Sequence, residues 1–340
     1  MRTFHIIAEG IGFGHVSRCS ALAKELEKYG KVKLFTFGEA YNFAKEQGLD
    51  AVKLNFKFAL KGSANGINIE KNVLGYIQSL NPLDFAKMIS IMDREKPEVV
   101  FVDSNLTGLA AARLHGKSRI FFIANNTDLS IFTRKMVLGS AAATLSSFII
   151  QTPERIFVPD FPPPYSISSY NINYFSRPEK FSFVGPLAKR IQGKSRKHNF
   201  VTLGGTENKL SQVIASSKAE FVSASLRGKN IRKVSASEYA KYFSEARVVI
   251  SHGGHTTIME ALLAGKPLLI LHDGAYMERV NNARRVAELG LGVEVDARFA
   301  DEKVLEKALD DAADLKSNCV KFSKFARKYD GAKEIARKII

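Results

Sequence analysis

Two glycine-rich turns in this 340-residue chain carry the residue types that handle anions and protons. The later one, SHGGHTTIMEALLAGKPLLIL at 251–271, sets His252, Gly253, Gly254, His255, Thr256 and Thr257 between an apolar run, Ala246 to Ile250, and a run of helical spacing, Ile258 to Ala264. A strand is expected to end there and a helix to begin. Unpaired main-chain N–H groups and the positive end of the helix dipole gather at such a junction, and glycine lets an anion approach the backbone. With the two threonine hydroxyls added, the turn suits a diphosphate. Glu260 follows Thr257 by three residues, which allows two uses. It closes the helix's own first turn as a capping box, or it accepts the hydroxyls of a ribose.

The earlier turn follows a short apolar strand, FHIIA at 4–8. It reads EGIGFGHVSRCSALAKEL, with Gly10, Gly12 and Gly14 ahead of an amphipathic helix that turns Val16, Leu22, Ala23 and Leu26 inward. The GxGxG spacing lacks the GxGxxG step, and the first acid after the next strand is Glu39, so a nicotinamide site is disfavoured. His15 falls in the first turn of the helix, where a neutral imidazole can act as a base or simply pack against the turn. Ligands of open α/β sheets bind beyond the carboxyl ends of the strands. The other strand exits therefore matter: Asp103 and Ser104 after VVFV, Asn125, Asn126 and Thr127 after IFFIA, and Gly204, Gly205 and Thr206 after FVTL. Asn125 and Asn126 are expected in one cleft with Gly12, Gly14 and His15. Asp103 is a second candidate base, or a helix cap.

Residues 251–265 resemble the nucleotide-sugar signature of two-domain GT-B glycosyltransferases. The likeness holds especially for family 28, which includes the peptidoglycan-precursor N-acetylglucosaminyltransferase and the plastid galactolipid synthases. The resemblance implies that His252, Gly254, Thr256 and Thr257 hold a diphosphate and that Glu260 holds the ribose. A second piece of the family pattern falls on Glu278, Arg279, Val280, Asn281, Asn282 and Ala283, which adds Arg279 and Asn282 to the donor site. The family has a glutamine, touching the donor sugar, where this chain has Arg279. A guanidinium suits an acidic sugar or a phosphate, or pairs with Glu278 at the surface. By the same resemblance Gly204 and Gly205 approach the donor phosphates, main-chain groups of 234–237 read the nucleobase, and the loop of His15 serves the acceptor. The implied activity is metal-independent, inverting transfer of a sugar from a nucleotide-diphosphate donor, UDP-sugars foremost, to an acceptor hydroxyl, lipid-linked acceptors included. No metal or cofactor is expected. A nucleotide-sugar epimerase and a non-catalytic nucleotide-sugar-binding regulatory protein are the alternatives.

Composition bounds the partners. Lys and Arg total 50 against 34 acids, for a net charge of +16. Such a surface draws nucleic acid, anionic lipid or a diphosphate. The bases are dispersed, with no zinc finger, RNP motif or arginine-rich arm, so nucleic acid is disfavoured against an anionic membrane surface. Lys189, Arg190, Lys194, Arg196 and Lys197 would contribute about 1 kcal/mol each near such a surface, or form a solvated linker. No run reaches the roughly 18 apolar residues of a membrane span, and the start MRTFHII, followed by Glu9, lacks a signal-peptide layout. A cytoplasmic protein with peripheral contact on the inner membrane face is expected. Cys19 and Cys319 suggest neither a disulfide nor a zinc site.

To position these residues, strands are expected at 3–8, 31–37, 98–102, 119–124 and 147–150, with helices near 15–29, 39–47, 82–95 and 104–115. Further strands are expected from 200 and near 219–223, 247–251, 267–271 and 292–295, with a helix-rich end from 301. This alternation indicates an α/β chain of two doubly wound, Rossmann-like domains facing across a cleft, the GT-B arrangement. The expected divisions are an acceptor domain at 1–157, a proline-rich crossing segment at 158–198, a nucleotide-sugar domain at 199–320, and a helix at 321–340 returning to the first domain. Phe56 to Ile69 and the helix after Pro82, with Leu83, Phe85, Met88 and Ile91, line an acceptor surface or pack in the core.

Overall fold

The computed structural model describes residues 1–56, 62–63, 66–67, 81–128, 136–194, 198–203, 209–235, 237–274 and 276–340. The strands are β1 (Arg2–Ala8), β2 (Gly30–Thr36), β3 (Ala51–Lys53), β4 (Gly62–Ser63), β5 (Gly66–Ile67), β6 (Val99–Asp103), β7 (Arg119–Ile123), β8 (Arg155–Val158), β9 (Phe181–Phe183), β10 (His198–Thr202), β11 (Phe221–Ser223), β12 (Ile231–Lys233), β13 (Ala246–Ser251), β14 (Leu268–His272) and β15 (Gly292–Asp296). Between them lie helices α1 (Gly14–Leu26), α2 (Gly38–Glu46), α3 (Pro82–Glu95), α4 (Leu106–His115), α5 (Met136–Gln151), α6 (Lys209–Ser216), α7 (Tyr239–Ser244), α8 (His255–Ala264), α9 (Met277–Glu288), α10 (Glu302–Asp314), α11 (Lys316–Ala326) and α12 (Gly331–Ile339).

Two parallel sheets organise the chain, in the orders β3-β2-β1-β6-β7-β8-β9 and β12-β11-β10-β13-β14-β15. Apolar residues on both faces of each strand are what such sheets require, because helices cover both sides. In β1, Phe4, Ile6 and Ala8 join one core with Val16 and Leu22 of α1, while Ile7 joins the opposite core with Met88 of α3 and Leu109 of α4. The second sheet repeats the plan: Phe200 and Val249 pack against Ile258 and Leu262 of α8, and Val201 and Leu269 pack against Ile214 and Leu305. In both sheets the strand order reverses at one point, between β1 and β6 and between β10 and β13. The connections leave in opposite directions there, which opens a crevice at the strands' carboxyl ends.

Several expectations are corrected. Residues 147–150 are the last turn of α5, not a strand. Ile149 and Ile150 of that turn are buried in the core, with Phe148 packed against them, and the strand follows at β8. The short strands β3, β9 and β12 were not expected. β9 falls within 158–198, so that segment adds a strand to the first sheet as well as connecting the domains. The same segment is organised by the buried Asp160, which accepts from the Ser168 and Phe161 main chain and from the Ser166 and Ser168 hydroxyls. The carboxyl-terminal helices divide their allegiance. Cys319 and Ala326 of α11 join the second domain's core, whereas Ala332, Ile335, Ala336 and Ile339 of α12 join the first domain's core beside α1. Arg190 ties the connection to this end, donating to the carbonyls of Arg327 and Tyr329. Arg196 and Lys197 lie outside the described residues, as does most of 57–69, while Met88 and Ile91 are core residues and Leu83 is exposed.

Candidate functional site

Ala8 and Asp103 are register partners at the ends of β1 and β6, on either side of the first sheet's reversal point. The chain leaves β1 into the glycine turn and α1. It leaves β6 through Ser104, at φ +54°, into α4, whose cap is Asn105, accepting from Gly108 N at 2.7 Å. Asp103 is therefore not the helix cap. Its fully buried carboxylate accepts from Arg18 Nε and Nη2, takes the Cys19 thiol at 3.2 Å, and lies 2.8 Å from His15 Nδ1. Burial alone would raise this carboxyl, but Arg18 and His15 beside it hold it well below the usual carboxylate range. The same burial, with Asp103 adjacent, pushes the Cys19 thiol up. Asp103 has no face on the cleft and both oxygens are engaged, so the expectation that it serves as an alternative base is withdrawn. It orients the ring of His15, whose side chain is 27% exposed. An imidazole that donates from Nδ1 to a carboxylate keeps Nε2 as its proton acceptor. Arg18 was missed in the sequence, although a charge on the inward face of α1, three residues after His15, marks it.

At the second reversal point Thr202 of β10 pairs with Ser251 of β13. The turn beyond contains Gly253 at φ +90°, and α8 starts after Gly254 with no side-chain cap and no acid in its first turn. Thr257 is the third residue of this helix and Glu260 the sixth, so the capping-box reading fails. The first-turn N–H groups are left to an incoming acceptor. Glu260 is buried at 7% exposure and accepts from Tyr239 Oη at 3.0 Å. Burial raises its carboxyl to about 7, opposed by the tyrosine bond and the field of Lys189. Desolvation, with the positive field of Arg279, holds His252 down to about 3, so its ring is neutral. Its Nε2 lies 3.3 Å from where a Cβ on residue 254 would stand, and Nδ1 is buried without a hydrogen-bond partner among the described residues.

Two residues expected to touch the donor face elsewhere. The buried side chain of Asn282 donates to the Gly253 carbonyl at 2.9 Å and accepts from Asn171 at 2.8 Å, so it braces the turn. His255 turns its Nε2 to Asp160 at 3.4 Å, leaving its main-chain N–H at the helix start. Arg279 does not pair with Glu278 at the surface. Its half-buried guanidinium lies over the Tyr276 ring, 5.1 Å from the centroid. Gly204, Gly205 and Thr206 lie outside the described residues.

The two turns meet. Thr256 Oγ1 donates to the Gly14 carbonyl at 3.3 Å, and Asn125 Nδ2 donates to Glu278 Oε1 at 2.9 Å. Asn125 also accepts from Arg18 Nη1 at 2.7 Å, so a hydrogen-bonded chain runs from Asp103 to the second domain. Among the described residues, the buried Oδ1 of Asn126 has no partner and nothing stands within 4 Å of where a Cβ on Gly12 would lie.

Comparison with known proteins places this architecture. The glycosyltransferase family 28 C-terminal domain matches residues 186–339. An uncharacterized glycosyltransferase of Methanosarcina acetivorans is 26% identical, over 96% of this chain and 95% of its own length. Another, of Methanosarcina mazei, is 27% identical over 87% of each chain. Among solved structures, the glycotransferase of kitacinnamycin superposes with a TM-score of 0.69 at 17% identity, covering 99% of this chain and 98% of its own. The spinosyn rhamnosyltransferase SpnG, complexed with thymidine diphosphate, gives a TM-score of 0.67 at 16% identity over the whole of both chains. Two doubly wound sheets, facing turns and these relatives agree: the chain is a glycosyltransferase of the GT-B fold, and its second half resembles the family 28 C-terminal domain.

Proposed function

We propose that the second domain binds a nucleotide-diphosphate sugar across the uncapped start of α8 and that the first domain presents an acceptor hydroxyl to His15. The observation that carries this reading is the contact between Thr256 and Gly14. It brings the uncapped start of α8 against the residue preceding His15. Glu260, beside Tyr239, takes the ribose hydroxyls, and the main chain of 253–257, with the Thr256 and Thr257 hydroxyls, takes the diphosphate.

Transfer follows as a single displacement. The acceptor oxygen attacks the anomeric carbon from the side of the first domain while its proton passes to His15 Nε2. The bond from that carbon to the phosphate oxygen breaks, and its electron pair leaves with the diphosphate. Asp103 keeps Nδ1 protonated and stabilises the imidazolium. Attack opposite the leaving group inverts the anomeric centre. The helix start is already oriented toward the charge that develops.

A uridine donor follows from the family resemblance, while the thymidine diphosphate bound by the spinosyn enzyme makes thymidine donors the second choice. Calorimetric titration with UDP and dTDP, followed by nucleotide release from UDP-glucose and dTDP-glucose in the presence of small alcohols, tests the reading. Binding of one nucleotide, with release abolished in His15→Ala, is the expected result. Absence of binding by both would overturn it. Among the described residues no helix is long and apolar enough to cross a membrane. With a net charge of +16, a lipid-linked acceptor at an anionic surface is consistent with the chain. Co-sedimentation with phosphatidylglycerol vesicles, compared with phosphatidylcholine, tests that part.

A further inference from the structure

We infer that Arg279 is the counter-charge of the donor's diphosphate, and thereby the residue that selects diphosphate over monophosphate leaving groups. The inference rests on the donor reading proposed above and assigns it a specificity-determining residue.

Arg279 stands in the first turn of α9, and its main chain abuts the anion turn. A Cβ on Gly253 would lie 2.9 Å from the Arg279 carbonyl oxygen and 3.0 Å from its Cβ. The guanidinium is thus rooted at the turn that feeds the start of α8. It lies over the Tyr276 ring, and its field reaches His252. The acid next to it in sequence is committed elsewhere, since Glu278 accepts from Asn125 Nδ2 at 2.9 Å and from Tyr276 Oη at 3.4 Å. Among the described residues no carboxylate lies within ion-pairing distance of Arg279, and Glu278 and Asp273 act on it only through space. Leaving a half-buried cation without a contact partner is costly unless a ligand supplies one.

Charge balance names that ligand. A helix start offers roughly half a positive charge. The His252 ring is neutral and the carboxyl of Glu260 is largely protonated below neutrality. A diphosphate diester brings two negative charges, and bond cleavage adds a third on the departing oxygen. The helix start cannot balance these alone, whereas a planar guanidinium adds a full charge and a paired donor edge. A monophosphate leaving group brings one charge fewer and leaves Arg279 under-used.

The test is calorimetric titration of the full-length protein and of Arg279→Gln and Arg279→Lys with UDP, UMP, uridine and UDP-glucuronate, or the thymidine series if dTDP is the nucleotide bound. Arg279→Gln should weaken UDP about 10- to 100-fold, the range for a lost charged hydrogen bond, and leave uridine unchanged. The preference for UDP over UMP should collapse with it, and Arg279→Lys should restore part. Unchanged UDP affinity in Arg279→Gln, with wild type binding normally, would overturn this inference and leave the donor site standing. A loss confined to UDP-glucuronate would overturn it in favour of a sugar carboxylate. No diphosphate binding by wild type would overturn the donor reading as well.

Discussion

Replacing Glu260 by glutamine should flatten one component of the protein's pH-dependent stability. The carboxyl is buried beneath the start of α8 and titrates at about 7 in place of its ordinary 4.5. A folded state that holds a proton more tightly than the unfolded chain gains stability from it below 4.5 and loses that gain as pH rises through about 7. The separation is worth about 3 kcal/mol at roughly 1.4 kcal/mol per pKa unit. Because the side chain is only 7% exposed, solvent screening takes little from this figure. Glutamine keeps an oxygen for Tyr239 Oη and cannot ionise. Urea unfolding followed by circular dichroism at pH 4 and pH 8.5 would give nearly equal stabilities for the two proteins at pH 4. Glu260→Gln should exceed wild type by about 3 kcal/mol at pH 8.5. Other titrating groups are shared and cancel in the difference. A difference between the two that does not change with pH would refute the argument, as would a variant less stable than wild type at pH 8.5. Nucleotide binding should report the same group. Ribose hydroxyls donate to the ionised carboxylate, so near pH 7 wild type should release about half a proton on binding UDP or dTDP, read from titrations in buffers of different ionisation enthalpy. Glu260→Gln should bind more weakly without that release.

Other outcomes follow from the remaining geometry. His15→Ala should lower transfer about 100- to 10,000-fold, the span of general base catalysis, while nucleotide affinity measured calorimetrically stays within a few-fold. Asp103→Leu leaves Arg18 buried without its partner and should cost about 3–5 kcal/mol in urea unfolding, part of which the double change Arg18→Leu with Asp103→Leu should recover. Gly253→Ala forces a side chain into φ +90° against the Arg279 carbonyl, so it should destabilise the second domain by about 1–3 kcal/mol and weaken UDP binding. Asn282→Ala strips the brace from the Gly253 carbonyl; a fall in nucleotide affinity with His15-dependent release chemistry otherwise intact would separate bracing from contact.

The reach of the sequence followed the range of the interactions. Both glycine turns were legible because strand, turn and helix lie contiguous in the chain, and the apolar strands announce themselves when both faces are buried. His15 and Asp103 were each visible, but not the contact between them. That contact depends on Arg18 and on Asp103 being fully enclosed, facts set by packing between residues 85 positions apart. The roles of Asn282 and His255 were misjudged for the same reason: Asn171 and Asp160, which engage them, sit in the proline-rich segment, where no periodicity signals structure. Strand β12 is three residues long and edge-paired, too short for alternation to show. The apolar run at 147–150 was mistaken for a strand because four residues cannot distinguish a buried helix turn from a β run.

The placement of α12 bears on how the chain acquires its structure. Ala332, Ile335, Ala336 and Ile339 fill a core whose other members lie between Phe4 and Leu187, all made before the second sheet. On a ribosome the first sheet therefore emerges with one flank of α1 uncovered, and it waits until the whole second domain has been made. A fragment ending before Gly331 should expose that flank and associate or be degraded, while a separately supplied peptide of the last helix should rescue it. The two domains are distinct in sheet and crevice, yet they form one unit of biogenesis, and neither evolution nor a protein engineer can exchange the first without carrying the chain's far end along.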